Sequence, residues 1–143
     1  MKKMWLLGIL VAVLMLAGCN TKATQEPSTT TLQGSAASSS SNIIEITDSG
    51  FSPTQITIQK GESLTFINKG AAESWPASAV HPTHQVYPGS DIAKCNSPEQ
   101  ATIFDACRGL KQGESWSFTF SEPGNWKYHD HLNPGLRGQV DVQ

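Results

Sequence analysis

From Ile43 onward the chain repeatedly alternates polar and apolar residues in short runs. Ile43-Ile-Glu-Ile-Thr47, Gln55-Ile-Thr-Ile-Gln59, Ser63-Leu-Thr-Phe-Ile-Asn68 and Ser115-Trp-Ser-Phe-Thr-Phe120 all follow this pattern. Trp126 and Tyr128 alternate with Lys127 and His129, and Leu136 to Val142 closes the chain in the same style. A period of two places the apolar side chains on one face of an extended segment, which must then find a second layer to cover it. Ser49-Gly-Phe-Ser-Pro53, Lys60-Gly61-Glu62, Lys69-Gly70 and Glu122-Pro123-Gly124 supply the corners. Gly61-Glu-Ser63 and Gly113-Glu-Ser115 each enter an alternating strand. They read as two similar hairpin corners of one sandwich rather than as a sequence repeat. The pattern predicts an all-β sandwich of about 100 residues, enough for one core.

Two stretches depart from alternation. Residues 71–92 contain Pro76, Pro82 and Pro88, which exclude a long helix or a central strand and predict a long loop across one end of the domain. Loops of this length without regular structure are often functional. Ser97-Pro98-Glu99 has the chemistry of an N-cap followed by proline at the first helical position, and predicts one short helix to about Ala106.

The chain has four histidines, and all fall in close pairs: His81-Pro-Thr-His84 in the long loop, and His129-Asp-His131 at the end of a strand. On an extended chain a spacing of two sends both imidazoles to the same side. Pro82 stiffens the first pair and favours an extended His81. Neutral imidazole is the commonest metal ligand, and a close pair offers two nitrogens for little extra ordering entropy. The expectation is one metal ion held by His81, His84, His129 and His131, the pairs meeting at one rim. A polar loop and a surface pair at a strand end are the plain alternatives. Asp130 reads as a ligand, as an acceptor that fixes an imidazole, or as a merely polar residue, and strand parity points it away from both histidines. Trp75, Trp126 and Tyr128 are expected in the core, whereas Tyr87 is a candidate to close over the site.

The N-terminal part is of another kind. Met1-Lys2-Lys3 precedes an apolar run from Trp5 to Ala17, too short for a comfortable membrane span. A basic start, an apolar middle and small residues before a break form a secretory signal. Its ending, Leu16-Ala-Gly-Cys19, resembles the lipobox of bacterial lipoproteins, which implies removal of residues 1–18 and lipidation of Cys19. Residues 19–42, Ser/Thr-rich with one large aliphatic, Leu32, would then be a flexible tether, and residues 43–143 the domain. The expected location is exported and anchored to a bacterial membrane by lipid. Without residues 1–18, eight Lys and Arg face twelve Asp and Glu, a net charge of about −4. That balance argues against nucleic acid and offers anionic lipid no basic patch.

Cys95 and Cys107 remain. Outside the cytoplasm two cysteines in one loop are expected to form a disulfide closing an insertion. Thiolate ligation of copper is the alternative.

Phe51-Ser-Pro-Thr-Gln-Ile-Thr-Ile-Gln-Lys-Gly-Glu-Ser-Leu-Thr-Phe-Ile-Asn68 resembles the opening hairpin of cupredoxins. Pro123-Gly-Asn-Trp-Lys-Tyr128 resembles the strand that leads to their copper site. The resemblance implies a Greek-key β-sandwich with copper ligands on the loops at one end. In blue-copper members a cysteine, a histidine and often a methionine follow that strand. Asp130 stands at the cysteine place, Asn133 near the histidine, Leu136 near the methionine, and no methionine follows Met15. Gly124 to His131, with Gly135-Leu-Arg-Gly138, instead resembles the His-x-His segment of multicopper oxidase domains, although one chain has too few pairs for a trinuclear cluster. An imidazole set without thiolate suits Cu(II), with zinc the second candidate. The expected function is copper binding for electron transfer or copper handling with a protein partner. The alternatives are a small copper enzyme with an open coordination position and a metal-free interaction domain. No catalytic residue is assigned.

Overall fold

A computed structural model describes residues 41–143. The segment expected to be a secretory signal, Cys19 and nearly all of the expected tether lie outside the described residues. Eight strands run in chain order: β1 Ile43–Thr47, β2 Gly50–Ser52, β3 Gln55–Ile58, β4 Ser63–Asn68, β5 Pro76–Ser78, β6 Ser115–Thr119, β7 Gly124–Asp130 and β8 Arg137–Val142. They form two four-stranded sheets, ordered β2-β1-β4-β6 and β3-β8-β7-β5. β1 with β4 and β3 with β8 pair in parallel, and the other neighbours are antiparallel. From β2 through β7 each strand lies in the other sheet from the one before it, as in a Greek key.

The alternation sets which side of each strand is buried. Ile44 and Ile46, Leu64 and Phe66, Phe118 and Phe120, Tyr128, and Val140 and Val142 meet between the sheets. Phe66 lies 5.3 Å from Tyr128 and 5.7 Å from Trp116, ring centre to ring centre. Phe104, fully buried, reaches the same core from outside the sheets and packs within 5.3 Å of Phe118 and 4.8 Å of Phe120. Gly138 faces Tyr128 across the β7–β8 pair, and a Cβ there would meet the Tyr128 ring. Only a glycine lets that ring lie flat over the backbone.

The prolines of the long loop leave room for a three-residue strand, β5, at the sheet edge, where its pairing is one-sided. The segment between the cysteines holds two 3-10 turns, Ile92–Lys94 and Pro98–Thr102, rather than a helix reaching Ala106. Ser97 caps the second, accepting from the Glu99 N–H, and Pro98 stands at its start, as its sequence requires. The turn stops at Thr102 because Ile103 and Phe104 turn into the core. Cys95 and Cys107 are joined in a disulfide, which removes the thiolate alternative. Closing a loop of this size contributes about 3 kcal/mol in the chain-entropy description.

Candidate metal centre

Strand alternation divides β7. Trp126 and Tyr128 pack against the core, and Lys127 and His129 turn to the opposite face. There the long loop covers His129, which is only 3 % exposed. The loop is tied down at several points. Ala79 N–H donates to Lys127 O at 2.9 Å, Ser78 N–H to Phe104 O at 2.8 Å, and His84 N–H to Val80 O at 2.8 Å. The last bond closes a turn over Val80-His-Pro-Thr-His84, so the first pair is brought together by a turn rather than an extended segment. His84 sits at φ +60°, a left-handed conformation uncommon for a residue with a Cβ, and its side chain is fully buried.

The four imidazoles converge. Ring centres lie 4.9 Å apart for His84–His129, His84–His131 and His81–His131, 5.6 Å for His81–His129, and 6.5 Å for His81–His84 and His129–His131. His84, His129 and His131 each offer a ring nitrogen within 4.8 Å of the other two. His81 stands on the exposed side of the group.

One nitrogen contact is informative. His131 Nδ1 and His84 Nε2 are 3.0 Å apart. Two nitrogens bound side by side to one ion, each at about 2.0–2.1 Å, are also separated by about 3 Å. His84 is fixed from behind: its Nδ1 meets Asp105 Oδ2 at 2.5 Å, which leaves Nε2 as the free lone pair facing His131. His129 is the outlier. Both its ring nitrogens are buried without a hydrogen-bond partner among the described residues. Buried polar atoms are rarely left so, and a bound cation would satisfy one of them.

Sequence reasoning missed Asp105. This buried carboxylate accepts from Trp75 Nε1 at 2.6 Å and Cys107 N–H at 2.7 Å while holding His84. No histidine stands near it in sequence, and only its place beside Cys107 hinted at a structured environment. Asp105→Asn is expected to lower copper affinity about 10- to 100-fold with the fold intact, since an amide directs an N–H or a flipped carbonyl at the imidazole. A competition titration against a chromophoric chelator checks this.

Other expectations are relocated. Trp75 is a wall of the site, its ring 4.5 Å from His131, and not part of the core. Tyr87 is 2 % exposed in the core beside Phe118, and its hydroxyl accepts from the Ser121 N–H at 2.9 Å, so it does not close over the histidines. Asp130 Oδ1 accepts from the Trp75 and Leu132 N–H groups, both at 2.9 Å. It ties the two histidine-bearing segments together through backbone and makes no hydrogen bond to an imidazole. Asn133 and Leu136 serve the turn after β7: Leu136 N–H donates to Asn133 O, and Asp130 N–H to Leu136 O.

Burial lowers the His129 pKa to about 4, and the neighbouring histidines push the same way when charged, against an opposing pull from Asp130. Burial also lowers that of His131. A histidine whose folded pKa lies below its unfolded value, about 6.5, is protonated first in the unfolded chain. The metal-free domain should therefore lose stability as pH falls from about 6.5 to about 4, and regain none of it below. Urea unfolding across that range, with the His129 ring followed by NMR, checks the sign.

The chain is similar in sequence and in fold to known proteins. Residues 18–143 match the family model described as copper binding proteins, plastocyanin/azurin family. Plastocyanin A/B of Petroselinum crispum is 29% identical over 94 residues, 64% of this chain and 86% of the relative. The chloroplastic plastocyanin minor isoform of Arabidopsis thaliana is 27% identical over 95 residues, 65% of this chain and 50% of the relative. Among solved structures, a reduced amicyanin variant superposes with a TM-score of 0.54 at 20% identity, covering 71% of this chain and 80% of the other. A purple cupredoxin from Nitrosopumilus maritimus gives 0.53 at 20% identity, covering 71% of this chain and 98% of the other.

Proposed function

This chain belongs to the plastocyanin/azurin family of copper-binding proteins, and on that premise we propose that it holds its copper through His84, His129 and His131, with His81 on the open side. The observation that carries this is His129, buried with both ring nitrogens unpartnered among the described residues and with one of them within ligand reach of two other imidazoles. The donor set fits the ion. Imidazoles without thiolate or thioether suit Cu(II) in a tetragonal arrangement, and affinity of nitrogen sites peaks at copper among the divalent ions. Bound there, copper supplies a one-electron couple. The protein's own part is to hold the ligands: Asp105 sets the His84 tautomer, and Asp130 locks the two loops together. His84 and His129 are buried, so an electron would pass through the exposed His81 edge. We read the chain as an electron-transfer or copper-handling protein rather than an enzyme. The Leu16-Ala-Gly-Cys19 segment supports a lipid anchor that keeps it on the outer side of a bacterial membrane.

The test is copper content and spin resonance of the full chain purified from the exported fraction. The reading expects one Cu(II) per chain, hyperfine structure from several nitrogens, and no intense thiolate-to-copper absorption. Zinc at full occupancy, or no metal after copper loading, overturns it. Cys19→Ser should release the protein from the membrane fraction, and an unchanged distribution would remove the anchor.

A further inference from the structure

A groove of about 740 Å³ opens beside the histidines on the outer face of the β3-β8-β7-β5 sheet. Its lining includes His81 and His129, the cations Lys127 and Arg137, and the apolar Val80 and Pro134. The strand register explains the grouping. His129 stands opposite Arg137 and Lys127 opposite Gln139 in the β7–β8 pair, so all four share one face. Among the described residues neither Lys127 nor Arg137 has a carboxylate within ion-pair distance, the one Lys or Arg so paired being Arg108, with Glu114. The carboxylate on this face of β8, Asp141, is held at the far end of the strand by the amides of Gln55 and Gln139, at 2.5 and 2.6 Å. Arg137 is steadied by its Nε–H, which donates to Pro134 O at 3.1 Å. Val80 is 61 % exposed at the mouth.

We propose that this groove admits a small carboxylate anion to the open side of the copper site, with Arg137 and Lys127 drawing its oxygens and Val80 and Pro134 facing its hydrocarbon part. The inference rests on the copper reading above. Neutral imidazoles leave Cu(II) its full charge, so an anion gains from the metal and from both cations at once. A guanidinium is suited to a carboxylate because it can donate two parallel N–H bonds. No covalent change is involved: the anion occupies a coordination position and leaves again.

The probe is acetate, titrated into the Cu(II)-loaded chain and followed by spin resonance, with neutral imidazole as the control ligand. Wild type should show a saturable change of the copper signal. Lys127→Gln and Arg137→Gln should each weaken acetate about fivefold and the double variant about twentyfold. Added salt should weaken acetate binding in the wild type, and imidazole binding should be unchanged in every variant. Equal acetate affinity in the double variant, or an equal loss for imidazole, overturns the proposal. A copper-loaded wild type whose signal ignores acetate also overturns it and leaves the copper site standing. A wild type that takes up no copper overturns the site and this inference with it.

Discussion

His129→Ala should cut copper affinity at least 100-fold while leaving the metal-free domain about as stable as before. The size follows from sharing the apparent binding energy of a four-ligand structural zinc site, roughly 10–16 kcal/mol, among its ligands, which gives about 3 kcal/mol each. The indifference of the apo protein follows from the state of the side chain. His129 is 3 % exposed and both nitrogens lack partners among the described residues, so the fold without metal bears the cost of their lost hydration. Deleting the ring removes that cost of roughly 1–3 kcal/mol and forfeits packing of similar size. An ordinary satisfied core histidine would behave in the opposite way, with stability lost and copper affinity unmoved. His81→Ala is the internal comparison: its ring is exposed and stands outside the tightest group, so its loss should be about tenfold smaller. Calorimetric copper titration with chemical unfolding of the same samples reads both quantities. Equal copper affinity for wild type and His129→Ala would remove this residue from the ligand set.

Phe104→Ala is the second large effect, this time on the fold. The residue is fully buried and its ring lies within 6.0 Å of those of Phe66, Tyr87, Trp116, Phe118, Phe120 and Tyr128. Truncating a phenylalanine in such a setting costs about 3–5 kcal/mol. That is a large share of the 5–15 kcal/mol typical of a whole domain. The urea midpoint should fall accordingly with little change in slope. Phe104 also anchors the insertion that carries Asp105, the residue that holds His84. Copper affinity should therefore fall even under conditions where the variant remains folded. A variant that loses stability yet binds copper as tightly as wild type would separate the insertion from the site.

The two variants probe the same connection from opposite ends. The disulfide closes the insertion on itself and Phe104 fastens it to the core, Asp105 projects from it onto His84, and His84 meets His131 across the loop. His129 arrives from the other direction, on the outward face of a strand whose inward face, Tyr128, is core.

Much of this was legible in the order of residues alone. Alternation marked β1 and β4 to the residue, and β3, β6 and β8 within a few, because each strand's apolar positions must face one common interior. The Gly and Pro corners marked where the chain turns, and the placing of Cys95 and Cys107 in one loop, with export expected, pointed to their bond. The histidine pairs named the residues to watch, since two imidazoles three or fewer positions apart are neighbours in almost any local conformation. Tertiary structure alone decided which side of the sheet they share, that Trp75 is a wall and Tyr87 is core, and that a carboxylate from the insertion stands behind His84. Asp105 and His84 are 21 positions apart, and their contact depends on how an irregular loop and a disulfide-closed segment fold over the same sheet edge. Periodicity reports which face of one segment is buried. It carries no information about which irregular segment will cover that face, because that choice is made by long-range packing and by the hydrogen bonds left open at the edge.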